Sequence, residues 1–188
     1  VARMRTGMPG VDRVLGGGLV SASIVLVIGE TGAGKSTLLL QMSEGLLRLG
    51  FKVLVGAAEE NAAQVGDRTA RLKVSKAGGK VIHTTSLNDL VAEIDYQKSI
   101  GYDPDLVIVD SAQTIADMTG IVPGAAGDTA QVMHVGTTLT RIAKTEGRCI
   151  ILVCQETKAG DMAGPQKLAH LVDVHLKFNM DGKARRFL

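Results

Sequence analysis

Residues Gly29-Glu30-Thr31-Gly32-Ala33-Gly34-Lys35-Ser36 fit the pattern G-x-x-x-x-G-K-[ST] at each fixed position. Glycines in this spacing let backbone N–H groups turn inward around an anion. A helix that starts directly after them points its positive N-terminal end at the same place. Lys35 supplies a point charge for the outer phosphates of a nucleoside triphosphate, and the Ser36 hydroxyl is a Mg2+ ligand. The expected nucleotide contacts are Gly29, Glu30, Thr31, Gly32, Ala33, Gly34, Lys35, Ser36 and Thr37. The competing reading is a glycine-rich turn that happens to carry Lys-Ser. What favours the phosphate loop is its setting. The apolar run Ile24–Ile28 before it reads as a buried strand, and Thr37–Arg48 after it reads as a helix.

Two more strand-like runs end in acids. Leu106–Val109 is apolar and delivers Asp110, which in a phosphate-loop enzyme holds the second shell of Mg2+. The alternative is a strand-end Asp that caps the next turn. Val53–Ala58 ends in Glu59 and Glu60. Hydrolysis of ATP needs a group that orients and deprotonates water near the γ-phosphate, and a carboxylate at the tip of a strand adjacent to the loop can do so. Glu59 takes that role here, with Glu60 as the reserve. The other reading makes both a first-turn pair on the dipole of a helix at Ala62–Leu72. Gln155, after the strand Ile150–Val153, either senses the γ-phosphate or simply opens a solvated loop. Lys158 has three candidate partners: nucleic acid, a neighbouring subunit's nucleotide, or water.

The elements that must position these groups alternate. Strands are predicted at Ile24–Ile28, Val53–Ala58, Val81–His83, Leu106–Val109, Ile150–Val153 and Val172–Phe178. Helices are predicted at Val11–Leu15, Thr37–Arg48, Ala62–Leu72, Leu87–Gln97 and Thr129–Thr145. Such alternation means parallel crossovers and an α/β doubly wound sheet, with ligands at the carboxyl ends of its strands. Thr119–Asp128, rich in glycine, reads as a mobile loop, and Glu156–Gln166 as a second irregular stretch.

The chain has 188 residues and no Trp, which suits one domain with an aliphatic core. A net charge of +2 is too small to argue for nucleic acid by itself. Cys149 and Cys154 lie on one predicted strand, about 16 Å apart, too far to pair with each other. That points to a reducing compartment. His83, His134, His170 and His175 do not have zinc-ligand spacing, and no structural metal is expected. No secretory signal or membrane-length apolar run is seen, so a cytoplasmic location is expected. The chain opens on Val1, and Ala184–Leu188 reads as a strand cut short, so a fragment of a longer protein is expected.

The order of these pieces resembles a RecA-like P-loop NTPase, a mostly parallel twisted sheet with helices on both faces. More narrowly the chain is similar to the ATPase domain of the bacterial RadA (Sms) DNA repair family. The residues that carry the likeness are Thr6-Gly7, Asp12–Val20, Gly34–Gln41, Asp110-Ser111-Ala112-Gln113-Thr114, Pro123-Gly124 with Gln131-Val132, and Thr157-Lys158 with Ala163-Gly164-Pro165, Leu168, His170, Val172 and Asp173. The resemblance implies a ring hexamer that binds DNA in its central channel, hydrolyses ATP with Mg2+, and promotes branch migration. It implies that two loops, near Thr119–Asp128 and Glu156–Gln166, face the channel, with Lys158 as the DNA contact. The family usually opens with a four-cysteine zinc motif and continues to a Lys-Asn-Arg-Phe-Gly motif and a domain resembling Lon protease. None of these is in the sequence, so residues 1–188 are expected to be the ATPase domain alone. A KaiC-like regulatory ATPase, and a nucleotide switch that does not hydrolyse, are the competing functions.

Overall fold

A computed structural model describes residues 2–58, 78–156, 167–181 and 184–187. Its elements in chain order are β1 (Arg3–Met4), α1 (Pro9–Val14), β2 (Leu19–Val20), β3 (Ile24–Gly29), α2 (Lys35–Arg48), β4 (Val53–Ala57), β5 (Lys80–His83), α3 (Leu87–Ser99), β6 (Leu106–Asp110), α4 (Thr129–Glu146), β7 (Cys149–Gln155), β8 (Val174–Asp181) and β9 (Ala184–Phe187).

The main sheet has seven strands in the order β5-β4-β6-β7-β3-β8-β9. Every neighbouring pair from β5 to β8 is parallel. Strands covered on both faces must be apolar throughout, and all six residues of β3 are buried. Their side chains alternate between layers, as the two-residue period of a strand requires. Ile24, Leu26 and Ile28 join a core with Leu90 and Ile94 of α3 and Leu139 and Ile142 of α4. Val25 and Val27 join a second core with Leu38, Leu39, Met42 and Leu46 of α2 and Val11 beside them. Helices therefore cover both faces, and the fold is the RecA-like P-loop architecture.

Local chemistry sets the helix ends. Pro9 sits in the first turn of α1, where a missing N–H does no harm. Ser86 caps α3 by accepting from the Asp89 N–H at 3.1 Å. Gly147, at φ +74°, ends α4 in the left-handed conformation.

The structure departs from the sequence expectations in several places. Helix α2 begins at Lys35 rather than Thr37, because the loop glycines lead straight into helical geometry. Strand β8 begins at Val174 rather than Val172: the Asp173 carboxylate accepts from the Ile24 N–H at 2.9 Å, and the ladder starts after it. Parallel crossovers do not account for β9, which turns back antiparallel along β8. They also miss the small β1–β2 ladder, which Arg3 braces by donating to the Leu15 and Gly18 carbonyls at 2.9 and 3.2 Å. The helix expected at Ala62–Leu72 lies outside the described residues. Cys149 and Cys154 are buried thiols near opposite ends of β7. Among the described residues, no helix is long and apolar enough to cross a membrane.

Candidate functional site

Strand β3 ends at Gly29, where nothing larger fits. A Cβ on Gly29 would lie 2.6 Å from the Phe178 Cβ and 2.8 Å from the Phe178 carbonyl oxygen, on the neighbouring β8. The chain then turns through Gly32 at φ +78° and Gly34 at φ +93°, left-handed conformations that disfavour any side chain. Gly34 is also the residue preceding α2. The Leu38 N–H donates to the Gly34 carbonyl at 3.0 Å, as a regular helix start requires. The N–H groups ahead of it belong to the first turn, which has no intrahelical acceptors to offer. Glu30, Thr31, Gly32 and Thr37 are exposed, Ala33 and Lys35 are buried, and Gly34 and Ser36 are half-buried. The Lys35 ammonium donates to the Gly29 and Glu30 carbonyls, both at 2.7 Å. A glycine-built anion cradle, a helix start and a lysine within the same turn form a site that suits polyphosphate.

Strand β6 brings half-buried Asp110 to the same carboxyl edge of the sheet. Asp110 is in register with Ala57 of β4 on one side and Val153 of β7 on the other. Its carbonyl accepts from the Ala58 N–H at 2.8 Å, and the peptide between Asp110 and Ser111 is cis. A hydroxyl at the second residue of α2 and a carboxylate at the tip of β6 are hard oxygen donors. That donor set fits Mg2+, which binds few protein ligands directly and keeps several waters.

Gln155, the last residue of β7, pairs in register with Gly29 of β3. Its Oε1 accepts from the Thr31 hydroxyl at 2.9 Å, which connects β7 to the phosphate loop. The Glu156 N–H then donates to the Gly29 carbonyl at 3.1 Å. Just beyond, Glu156 pairs with Lys177 of β8 at 2.9 Å.

The site residues expected from sequence thus divide. Lys35, Ser36, Asp110 and Gln155 stand at the carboxyl ends of three strands in one part of the sheet. Glu59, Glu60 and Lys158 lie outside the described residues. One expectation about Glu59 is corrected: β4, the strand that leads to it, is not adjacent to β3. Strands β6 and β7 lie between them. A group following β4 must reach across two strand tips to serve the loop.

Three residues with no role assigned from sequence turn out to organise this edge. The Gln113 carboxamide exchanges two hydrogen bonds with the backbone of Gln155. Gln131, almost fully buried on α4, accepts from the Asp117 N–H at 2.9 Å and donates to the Val122 and Gly124 carbonyls at 2.8 and 3.3 Å. Asp117 accepts from the Thr119 hydroxyl at 2.6 Å and N–H at 2.8 Å, and His134 lies 3.4 Å away. The Thr119 bonds, with His134 adding a smaller share, hold the Asp117 carboxyl below its usual range. Residues 119–128 form turns and bends without regular structure, and Thr119, Val122 and Gly124 within them are held by Asp117 and Gln131. Gln113 and Gln131 stand in segments that carry the family resemblance, but nothing in the sequence says which groups these amides bond.

A match to a family model described as "ATPase: KaiC" covers residues 4–78. The DNA repair protein RadA of Listeria monocytogenes is 44% identical over 178 residues, which is 94% of this chain and 37% of that protein. That of Streptococcus pneumoniae is 40% identical over 178 residues, 95% of this chain and 40% of that protein. That of Brucella abortus is 37% identical over 180 residues, 96% of this chain and 38% of that protein. The chain spans about two-fifths of the length of these curated relatives.

Proposed function

We propose that this chain, similar along nearly all its length to the RadA DNA repair proteins, is a RecA-like P-loop ATPase domain that hydrolyses ATP in response to DNA, as the motor core of a recombination and repair protein. The observation that carries this reading is the glycine cradle Gly29–Ser36 at the tip of β3, with Asp110 and Gln155 at the tips of nearby strands. Backbone N–H groups of the loop and the start of α2 bind the phosphates of ATP, and the Lys35 ammonium moves onto the outer ones. Ser36 and, through water, Asp110 hold Mg2+, which when bound supplies positive charge to the phosphate oxygens. Glu59 orients the attacking water and takes its proton, with Glu60 as the reserve. Gln155 senses whether a γ-phosphate is present. DNA runs past the loops at 119–128 and 156–166, and Lys158 contacts its phosphates without reading bases. In the full-length protein these domains form a ring, six to the ring by the family resemblance, working on DNA in the cytoplasm through branch migration.

The test is ATP hydrolysis by the full-length protein with and without single-stranded and branched DNA, at rising salt. Stimulation that weakens as salt rises is expected, since DNA binding releases counterions. Glu59→Gln should abolish turnover while ATP still binds, or Glu60→Gln should if that residue is the base. Hydrolysis indifferent to both changes would remove the proposed base. Hydrolysis that never responds to DNA would favour a regulatory ATPase signalling through protein partners. The match to the "ATPase: KaiC" family model is the observation that keeps this second reading in view.

A further inference from the structure

We infer that Gln113 is a positioning residue that holds Gln155 against the phosphate loop and ties it to residues 119–128, so that DNA-stimulated hydrolysis depends on it. The inference rests on the ATPase reading above.

The argument begins where two paired strands part. Strand β6 stops at Asp110 and turns away: the Thr114 N–H and hydroxyl both donate to the Ser111 carbonyl, at 3.2 and 2.9 Å. Strand β7 continues to Gln155. The last main-chain bond between these segments runs from the Ala112 N–H to the Val153 carbonyl, at 2.8 Å. Gln155 therefore extends past the end of its neighbour, and its peptide needs partners on that side.

Gln113 supplies both. Its Oε1 accepts from the Gln155 N–H at 2.7 Å, and its Nε2 donates to the Gln155 carbonyl at 3.1 Å. A carboxamide carries the same donor and acceptor as a peptide, so it stands in for the strand residue that β6 lacks. Glutamate would keep the acceptor but lose the donor, and alanine would lose both. With register to Gly29 on its other side, Gln155 is gripped from both flanks, and its own carboxamide meets Thr31 of the phosphate loop.

Gln113 also has a second neighbour. A Cβ placed on Gly127 would lie 3.4 Å from the Gln113 carbonyl oxygen, so the 119–128 loop passes beside the Gln113 main chain. The phosphate loop touches Gln155, Gln155 is bonded to Gln113, and Gln113 abuts the loop proposed to face DNA. Displacement of that loop by DNA would shift the group that fixes the backbone of Gln155. Spatial contiguity alone does not establish coupling, so the test is a double-mutant cycle.

In the full-length protein, Gln113→Ala, Gln155→Ala and the double variant are compared for kcat and KM of ATP hydrolysis, with and without single-stranded DNA, and for melting temperature. Gln113→Ala should lower DNA-stimulated kcat about 10- to 100-fold, as loss of an orienting partner does at other sites, with KM for ATP nearly unchanged. The double variant should be no slower than Gln155→Ala, since one residue acts through the other. Gln113→Met, similar in length but without either hydrogen bond, is read in the same way if the alanine variant does not fold. Wild-type kcat in these variants, a loss that adds to that of Gln155→Ala, or a loss that merely tracks a raised KM and a lowered melting temperature would overturn the inference while leaving the ATPase reading intact. An unaltered protein that hydrolyses no ATP would overturn the ATPase reading, and this inference with it.

Discussion

The Lys35 ammonium and the Glu156 N–H converge on one acceptor, the carbonyl of Gly29, at 2.7 and 3.1 Å. One donor belongs to the phosphate loop. The other belongs to the residue that follows Gln155 and leads into the stretch beginning at Thr157. A phosphate that draws the ammonium away leaves this carbonyl to the Glu156 N–H alone. The phosphate-loop lysine and the residue after β7 therefore share one oxygen atom. Nucleotide must also compete with the two carbonyls that Lys35 already contacts.

Lys35→Ala is accordingly expected to weaken ATP binding strongly. A hydrogen bond between charged groups contributes about 1.5–3 kcal/mol, which corresponds to roughly a 10- to 100-fold rise in Kd. Titration with a fluorescent ATP analogue reads this directly. An unchanged Kd would mean that the triphosphate does not sit in the loop.

Asp110→Asn tests the metal half of the site. The amide is nearly isosteric but neutral, and so a poorer partner for metal-bound water. The Mg2+ concentration giving half-maximal hydrolysis should rise about 10-fold or more, while binding of ATP without metal stays close to that of the unaltered chain. An identical Mg2+ dependence would return Asp110 to the role of a turn-capping residue.

Sequence reading reached the parts of this site that are local in the chain. Ile24–Ile28 is apolar on both faces, so a central strand was legible, and Gly34-Lys35-Ser36 carries its conformational demands in its own residue types. Strand order was not legible in the same way. Each crossover is compatible with several neighbours, and the placement of β6 and β7 between β4 and β3 follows from how the whole sheet packs. The bonding role of Gln113 was not legible for a related reason. Its partner is 42 residues away, and a half-buried glutamine looks like any solvated amide until the fold sets it beside the end of β7. The antiparallel turn of β9 onto β8 was half legible: a strand at Ala184–Leu188 was read, but its direction was not.

Gly29→Ala should be disruptive for a steric rather than a conformational reason. The added methyl would meet both the Cβ and the carbonyl of Phe178, which are backbone-fixed and cannot swing aside. Overpacking of this kind costs about 1–3 kcal/mol. It acts where β8 pairs with β3 and where the phosphate loop begins. Melting temperature and nucleotide affinity should therefore fall together. A variant with native melting temperature would show that β8 does not approach β3 this closely.

Cys149 provides a pH test of the core. It is fully buried at the start of β7, and burial pushes its thiol from 9.0 up to about 11. The Ser23 hydroxyl, 3.6 Å from the sulfur, works against that rise, and the Asp173 charge adds to it. In the unfolded chain the thiol ionises above about pH 9, while the folded chain keeps its proton. The folded state then binds more protons, so stability falls as pH rises from about 9 to 11. The sign is that of a group whose neutral form is favoured by folding, and the full effect is about 2–3 kcal/mol at about 1.4 kcal/mol per pH unit. Tyr102, also raised chiefly by burial, slopes the same way at alkaline pH, so the chain alone cannot isolate the thiol. Comparison with Cys149→Ala does. Urea midpoints measured at pH 8 and pH 11 should drop less in the variant than in the parent chain, and equal drops would place the thiol in contact with water.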